Sequence, residues 1–171
     1  VAWVDSLSRR GRGVLTCGDH ALPAQLNKNS NQQDLLRYNP KALASAPSFF
    51  PNGLLNKFTV GAFNETWFRK SPKSRKEELQ EIAPYFHPLD GIQDWNKIYG
   101  PKGFLQYQFA VPDNASELIP NTLENLREIG APSFLTVLKR FGPENSSLLS
   151  FPIKGWTLAA DIPLSLPNLE E

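Results

Sequence analysis

Gly103-Phe104-Leu105-Gln106-Tyr107-Gln108-Phe109-Ala110-Val111-Pro112 has the make-up of a β-strand. It is rich in aromatic and apolar residues and bracketed by glycine and proline. Successive side chains in a strand point to opposite faces. Leu105, Tyr107, Phe109 and Val111 therefore share an apolar face, and Phe104, Gln106, Gln108 and Ala110 share the other. Two amides on one sheet face need partners, because a buried amide left unpaired is costly. That face is covered by water or by a polar ligand.

Working outward, a helix is expected over Ala115 to Ile129, capped by Asp113 or Asn114 and ended by Gly130. Leu118, Ile119, Thr122, Leu126 and Ile129 would lie on its inner face, and Pro120 marks a kink or the true start. Strands follow over Ser133 to Phe141 and Gly155 to Pro163, joined by a hairpin-like return. Strand, helix, strand predicts a right-handed crossover between two parallel strands. On the other side, Val1 to Val4 and Gly13 to Gly18 read as a hairpin, with Cys17 a small buried strand residue. Asn52 to Lys70 reads as a helix capped by Asn52, with Leu55, Phe58, Thr59, Ala62, Phe63, Thr66 and Trp67 packed as core. Short helical pieces are expected at Glu77 to Ile82 and Asp94 to Tyr99. The polar run Asn27 to Gln33 reads as loop. The sum is an α+β fold: a mostly antiparallel sheet, helices packed on one face, the other face open.

The 171 residues suffice for one domain with a real core, at 40% hydrophobic and 20% charged. A net charge of +1 gives no basic field, which argues against nucleic acid as a partner. One cysteine excludes an intrachain disulfide and a cysteine-rich zinc site, so no metal is expected. No apolar run is long enough to span a membrane and no secretory leader opens the chain, so a cytoplasmic or membrane-peripheral protein is expected. The basic run Arg69 to Lys76 reads first as a solvated loop, with contact to anionic lipid as the alternative. The chain lacks methionine and opens on a strand, which suggests a domain, residues 1–171, of a longer protein.

No nucleophile elbow, Walker sequence or dinucleotide fingerprint occurs. The chemistry available is a polar set on strands. Gln106 and Gln108 share a face, and Lys139 sits on one side of its strand with Leu135, Val137 and Phe141. Such an ammonium must reach water, a carboxylate or an anion. Thr157 and Ala159 would add a small, open patch. Together these suit a hydroxylated, phosphorylated ligand. A non-enzymatic binding module for a sugar phosphate or lipid head group would use the same face, and a protein-interaction domain is a third reading.

Several blocks carry a family likeness: Phe50-Pro51-Asn52-Gly53-Leu54-Leu55-Asn56-Lys57, Trp67-Phe68-Arg69-Lys70, Phe86-His87-Pro88-Leu89-Asp90, Tyr99 to Phe109, Lys139-Arg140-Phe141-Gly142-Pro143 and Leu149 to Trp156. In that order they resemble the bacterial FAD-linked oxidoreductases of the decaprenylphosphoryl-β-D-ribose 2′-oxidase family, from Trp3 to Pro163. The resemblance implies the vanillyl-alcohol-oxidase architecture, in which this chain is the cap, or substrate-binding, domain. FAD would be bound mainly by flanking segments outside it. It implies oxidation of a secondary alcohol of a lipid-linked pentose, and a partner reductase acting on the keto sugar in bacterial cell-wall arabinan synthesis. Trp3, His87, Leu89, Gln106, Gln108 and Lys139 match pocket residues by position, with Gln108 also a candidate for the flavin edge. The catalytic base would lie beyond this chain, so none is assigned. Thr157 and Ala159 depart from the family's asparagine and cysteine, and Phe86 from its tyrosine. Without that thiol, nitroaromatic compounds that capture it could bind only reversibly. The fragment alone is expected to be inactive.

Overall fold

The computed structural model describes residues 1–9, 11–26, 38, 40, 42–47, 49–76 and 78–166. Five strands form the main sheet: β1 (Ala2–Val4), β2 (Gly13–Leu15), β5 (Phe104–Pro112), β6 (Thr136–Phe141) and β7 (Gly155–Pro163). Their order is β2-β1-β6-β7-β5, and every neighbouring pair is antiparallel. A separate parallel pair joins β3 (Ala44–Ser45) to β4 (Ile92–Gln93). The α+β class holds, but the helices are not confined to one face: Val60 and Tyr99 pack with Phe104 at one end of the amide-bearing face. β5 and β6 run parallel, as the strand-helix-strand pattern implies, but β7 inserts between them and pairs with both. The crossover is thus split by the strand that follows it.

Helix α3 (Leu118–Glu128) covers the apolar face. Its Ile119 packs with Val111 and Leu158, and its Leu126 with Ala131, Ala160 and Ile162. Pro120 falls in the first turn, where no intrahelical donor is needed, so the helix is not broken. Gly130 closes it at φ +79°, a left-handed conformation glycine adopts freely. Leu118 and Ile129, expected inside, are exposed, because the crossover needs only the Ile119–Leu126 stripe against the sheet.

Helix α1 (Lys57–Lys70) begins five residues later than expected. Asn56, not Asn52, is the cap: its Oδ1 accepts from the Phe58 and Thr59 amides, while Thr59 Oγ1 accepts from the Asn56 amide. This reciprocal pair satisfies donors the helix cannot. Asn52 instead accepts from the Lys102 amide, bracing the turn before β5. The inner face of α1 is Val60 and Asn64, not the aromatic stripe: Phe58 is 89% exposed and Trp67 46%. Val60 packs with Leu55 and Tyr99, and with Phe104 at one end of the amide-bearing face. Asn64 donates to buried Asp5, which also accepts from Arg12 of the β1–β2 turn. That network pins α1 to the hairpin.

Two smaller expectations change. Cys17 is exposed and lies past the end of β2, which closes after Leu15. The helical turn expected at Glu77 to Ile82 is displaced to α2 (Ile82–Phe86). The polar run 27–33 lies outside the described residues. A 3-10 turn over Trp95–Tyr99 forms where a turn was expected.

Candidate functional site

Strand register determines which side chains meet. One cross-strand row runs Val14, Trp3, Val137, Ala159, Gln108 across all five strands. The next row on the same face aligns Lys139, Thr157 and Ala110. On the other side of the first row, Gln106 faces Asp161. Trp3, Gln106, Gln108, Lys139, Thr157 and Ala159 therefore share one face, opposite α3. Arg140, the neighbouring cation, points to the other face. There it forms a bidentate pair with Asp113 and lies over the Trp156 ring, 4.8 Å from its centroid. That guanidinium holds the Asp113 carboxyl below the usual carboxylate range. Among the described residues the Lys139 ammonium is in no ion pair, and it is exposed.

The amides are anchored from below. Gln106 Nε2 donates to Asp161 Oδ1 at 2.8 Å, and Gln108 Nε2 donates to Thr157 Oγ1 at 3.2 Å. The Thr157 hydroxyl donates its own hydrogen bond to the Phe109 carbonyl, 2.9 Å away. Both glutamines are exposed, whereas Thr157 and Asp161 are buried. Each Nε2 is bonded to a β7 side chain, and among the described residues neither Oε1 has a hydrogen-bond partner. The chemistry left unpaired on this face is two carbonyl acceptors and one ammonium around small Ala159. Such a set binds hydroxyl donors near an anion. Tyr99 also donates to Asp161, at 3.3 Å. Burial, with no cation beside it, raises the Asp161 carboxyl above its ordinary value. Burial and that carboxyl raise the Tyr99 hydroxyl.

His87 and Leu89 do not lie on the sheet strands themselves. His87 links α2 to the 88–91 turn, which holds Leu89, and the backbone bonds there run within the segment and from Leu43 to Gly91. Ala46 bonds Gln93 just beyond. His87 is exposed, its ring tilted against Phe86 with centroids 6.4 Å apart. Asp161 was not singled out from the sequence, although its place two residues beyond Ala159 puts it on the same side of the strand. Among the described residues no cluster of histidine, cysteine or acidic side chains could hold a metal, and no helix is long and apolar enough to cross a membrane.

The fold and this face define an α+β layer whose side opposite α3 carries two glutamine amides and one cation. No protein-family profile matches the chain. It is 42% identical, over 95% of its length, to decaprenylphosphoryl-β-D-ribose oxidase of Mycolicibacterium smegmatis, spanning 36% of that protein. The chain belongs to that oxidase's family, as a stretch about a third as long as the relative. A second relative, an uncharacterized protein of Streptomyces coelicolor named for its place in the mprA 5′ region, is 27% identical over 98% of the chain and 47% of its own length.

Proposed function

We propose that this chain is the substrate-binding domain of an FAD-dependent oxidoreductase that oxidises a secondary alcohol of a polyprenylphosphoryl pentose, ribose in the first instance. The observation that carries the reading is the 42% identity to a ribose oxidase across a chain whose open face holds acceptors beside a cation. Gln106 and Gln108 receive sugar hydroxyls, and Lys139 meets the phosphate. Trp3 supplies an apolar wall, and Ala159 leaves room above the row.

The residues present fit the edge of a flavin ring and not its diphosphate. Among the described residues Gln108 Oε1 is an unpaired acceptor suited to a ring N–H, whereas no glycine-rich turn opens a helix as a phosphate cradle. Bound flavin supplies a hydride acceptor for the carbinol carbon. This chain's residues bind and orient the alcohol, and the base that takes its proton belongs to another segment. The chain alone is therefore inactive. The partner reductase and the lipid contact through Arg69–Lys76 stay part of the same proposal.

The test is anaerobic addition of a polyprenylphosphoryl ribose to the full-length protein. Loss of the flavin's visible absorption is expected. An oxidised spectrum unchanged by the ligand, in protein that carries flavin, would refute the reading.

A further inference from the structure

Asp161 is fully buried on β7. Among the described residues its side chain meets two donors, Tyr99 Oη and Gln106 Nε2, and no cation. Its backbone N–H is taken up by the Leu135 carbonyl and lies 3.1 Å from Ser133 Oγ. A buried carboxyl without a cation costs stability, and the fold does not require one here. A neutral residue would serve Tyr99 as well. What a carboxylate does here is dictate an amide's orientation, because it accepts hydrogen bonds and donates none. Water both donates and accepts, and would bind either end of Gln106.

We propose that Asp161 is a positioning residue: it holds the Gln106 amide with its N–H groups turned into the sheet, so that the carbonyl oxygen is offered to the bound sugar and selects a hydroxyl there. The inference rests on the functional reading above for the identity of the ligand, and on the geometry alone for the orientation. Gln108 is set the same way by a weaker device, the Thr157 hydroxyl, whose proton is committed to Phe109. The pair thus presents two acceptors in succession along β5.

The experiment has two arms in the full-length protein. The first follows the side-chain amide resonances of Gln106, assigned by their loss in Gln106→Leu. A proton bonded to carboxylate is expected well downfield of free glutamine, and it moves back in Asp161→Leu and part of the way in Asp161→Asn. A Gln106 amide at the free position in the wild type overturns the proposal, whatever the activity. The second arm is turnover of a polyprenylphosphoryl ribose. Asp161→Leu raises KM about tenfold, the loss of one well-placed hydrogen bond, with kcat within about twofold. In a Gln106→Leu background the same change adds nothing further, since its target is gone. Equal rises in both backgrounds, or an unchanged KM in Asp161→Leu, overturn the proposal. Should Asp161→Leu not fold, Asp161→Asn carries both arms. A wild type that does not turn over this substrate would contradict the functional reading, and the amide resonance then decides the role of Asp161 alone.

Discussion

Two threonines on adjacent strands should respond oppositely to the same substitution. Thr136 on β6 and Thr157 on β7 are 0% and 1% exposed. Valine keeps the shape and strand preference of threonine and removes only the hydroxyl. At Thr157 that hydroxyl accepts from Gln108 and donates to the Phe109 carbonyl. Each bond contributes about 0.5–1.5 kcal/mol net, and exposed Gln108 can turn to water, so Thr157→Val costs about 1–2 kcal/mol. The Thr136 hydroxyl has no partner among the described residues. Removing an unpaired buried hydroxyl relieves a desolvation cost, so Thr136→Val is neutral or stabilising by about 0.5–1 kcal/mol. Urea unfolding of the two variants reads the difference. With a slope of about 2 kcal/mol per molar, Thr157→Val lowers the midpoint by about 0.5–1 M, while Thr136→Val leaves it or raises it. Two shifts of the same sign and size would refute the hydrogen-bond assignment. An unchanged midpoint in Thr157→Val would remove the anchor for Gln108.

Three further outcomes follow from other sites. Asn56→Ala removes the α1 cap and destabilises by about 1–2 kcal/mol, whereas Asn52→Ala does not fray the helix; amide exchange at Phe58 and Thr59 separates them. Asp161 has a raised folded value, so its ionisation opposes folding: the penalty is absent below the unfolded value and grows as pH rises toward the folded one. Asp161→Asn is therefore more stable than wild type at neutral pH and equal to it in acid. Urea midpoints across that window check this, and a gap that widens on acidification would contradict it. Cys17 is exposed and residue 159 is alanine, so a maleimide adds once to the native chain, at Cys17. Intact mass and peptide mapping of wild type against Cys17→Ser read the result.

The strands were legible in the sequence because period-two alternation is strong where one face is buried. β7 falls where expected, and β5 differs by one residue. Split pairing was not legible, since the pattern of β7 suits either edge or centre. Periodicity misled at α1: Phe58, Phe63 and Trp67 mimic a core stripe, while the chain buries Val60 and polar Asn64. Asn64 is inside because Asp5, distant in sequence, needs its amide. The shared face of Gln106, Gln108 and Lys139 followed from alternation once the strands were neighbours. The role of Asp161 was not legible, because a lone acid on a strand gives no functional signal until its burial and donors are known. His87 and Leu89 rested on family likeness alone, since they lie off the strands where alternation carries no information.

The measurement closest to the central geometry is a crosslink. In a Cys17→Ser background, Gln108→Cys with Lys139→Cys places two thiols on one face. They lie two strand spacings and one two-residue step apart, about 12 Å between Cα atoms. A short bis-maleimide is expected to join them, while Tyr107→Cys with Lys139→Cys, on opposite faces, stays unjoined. Crosslinking of the second pair and not the first would place the amides and the ammonium on different sides of the sheet, and the proposed ligand face would not exist.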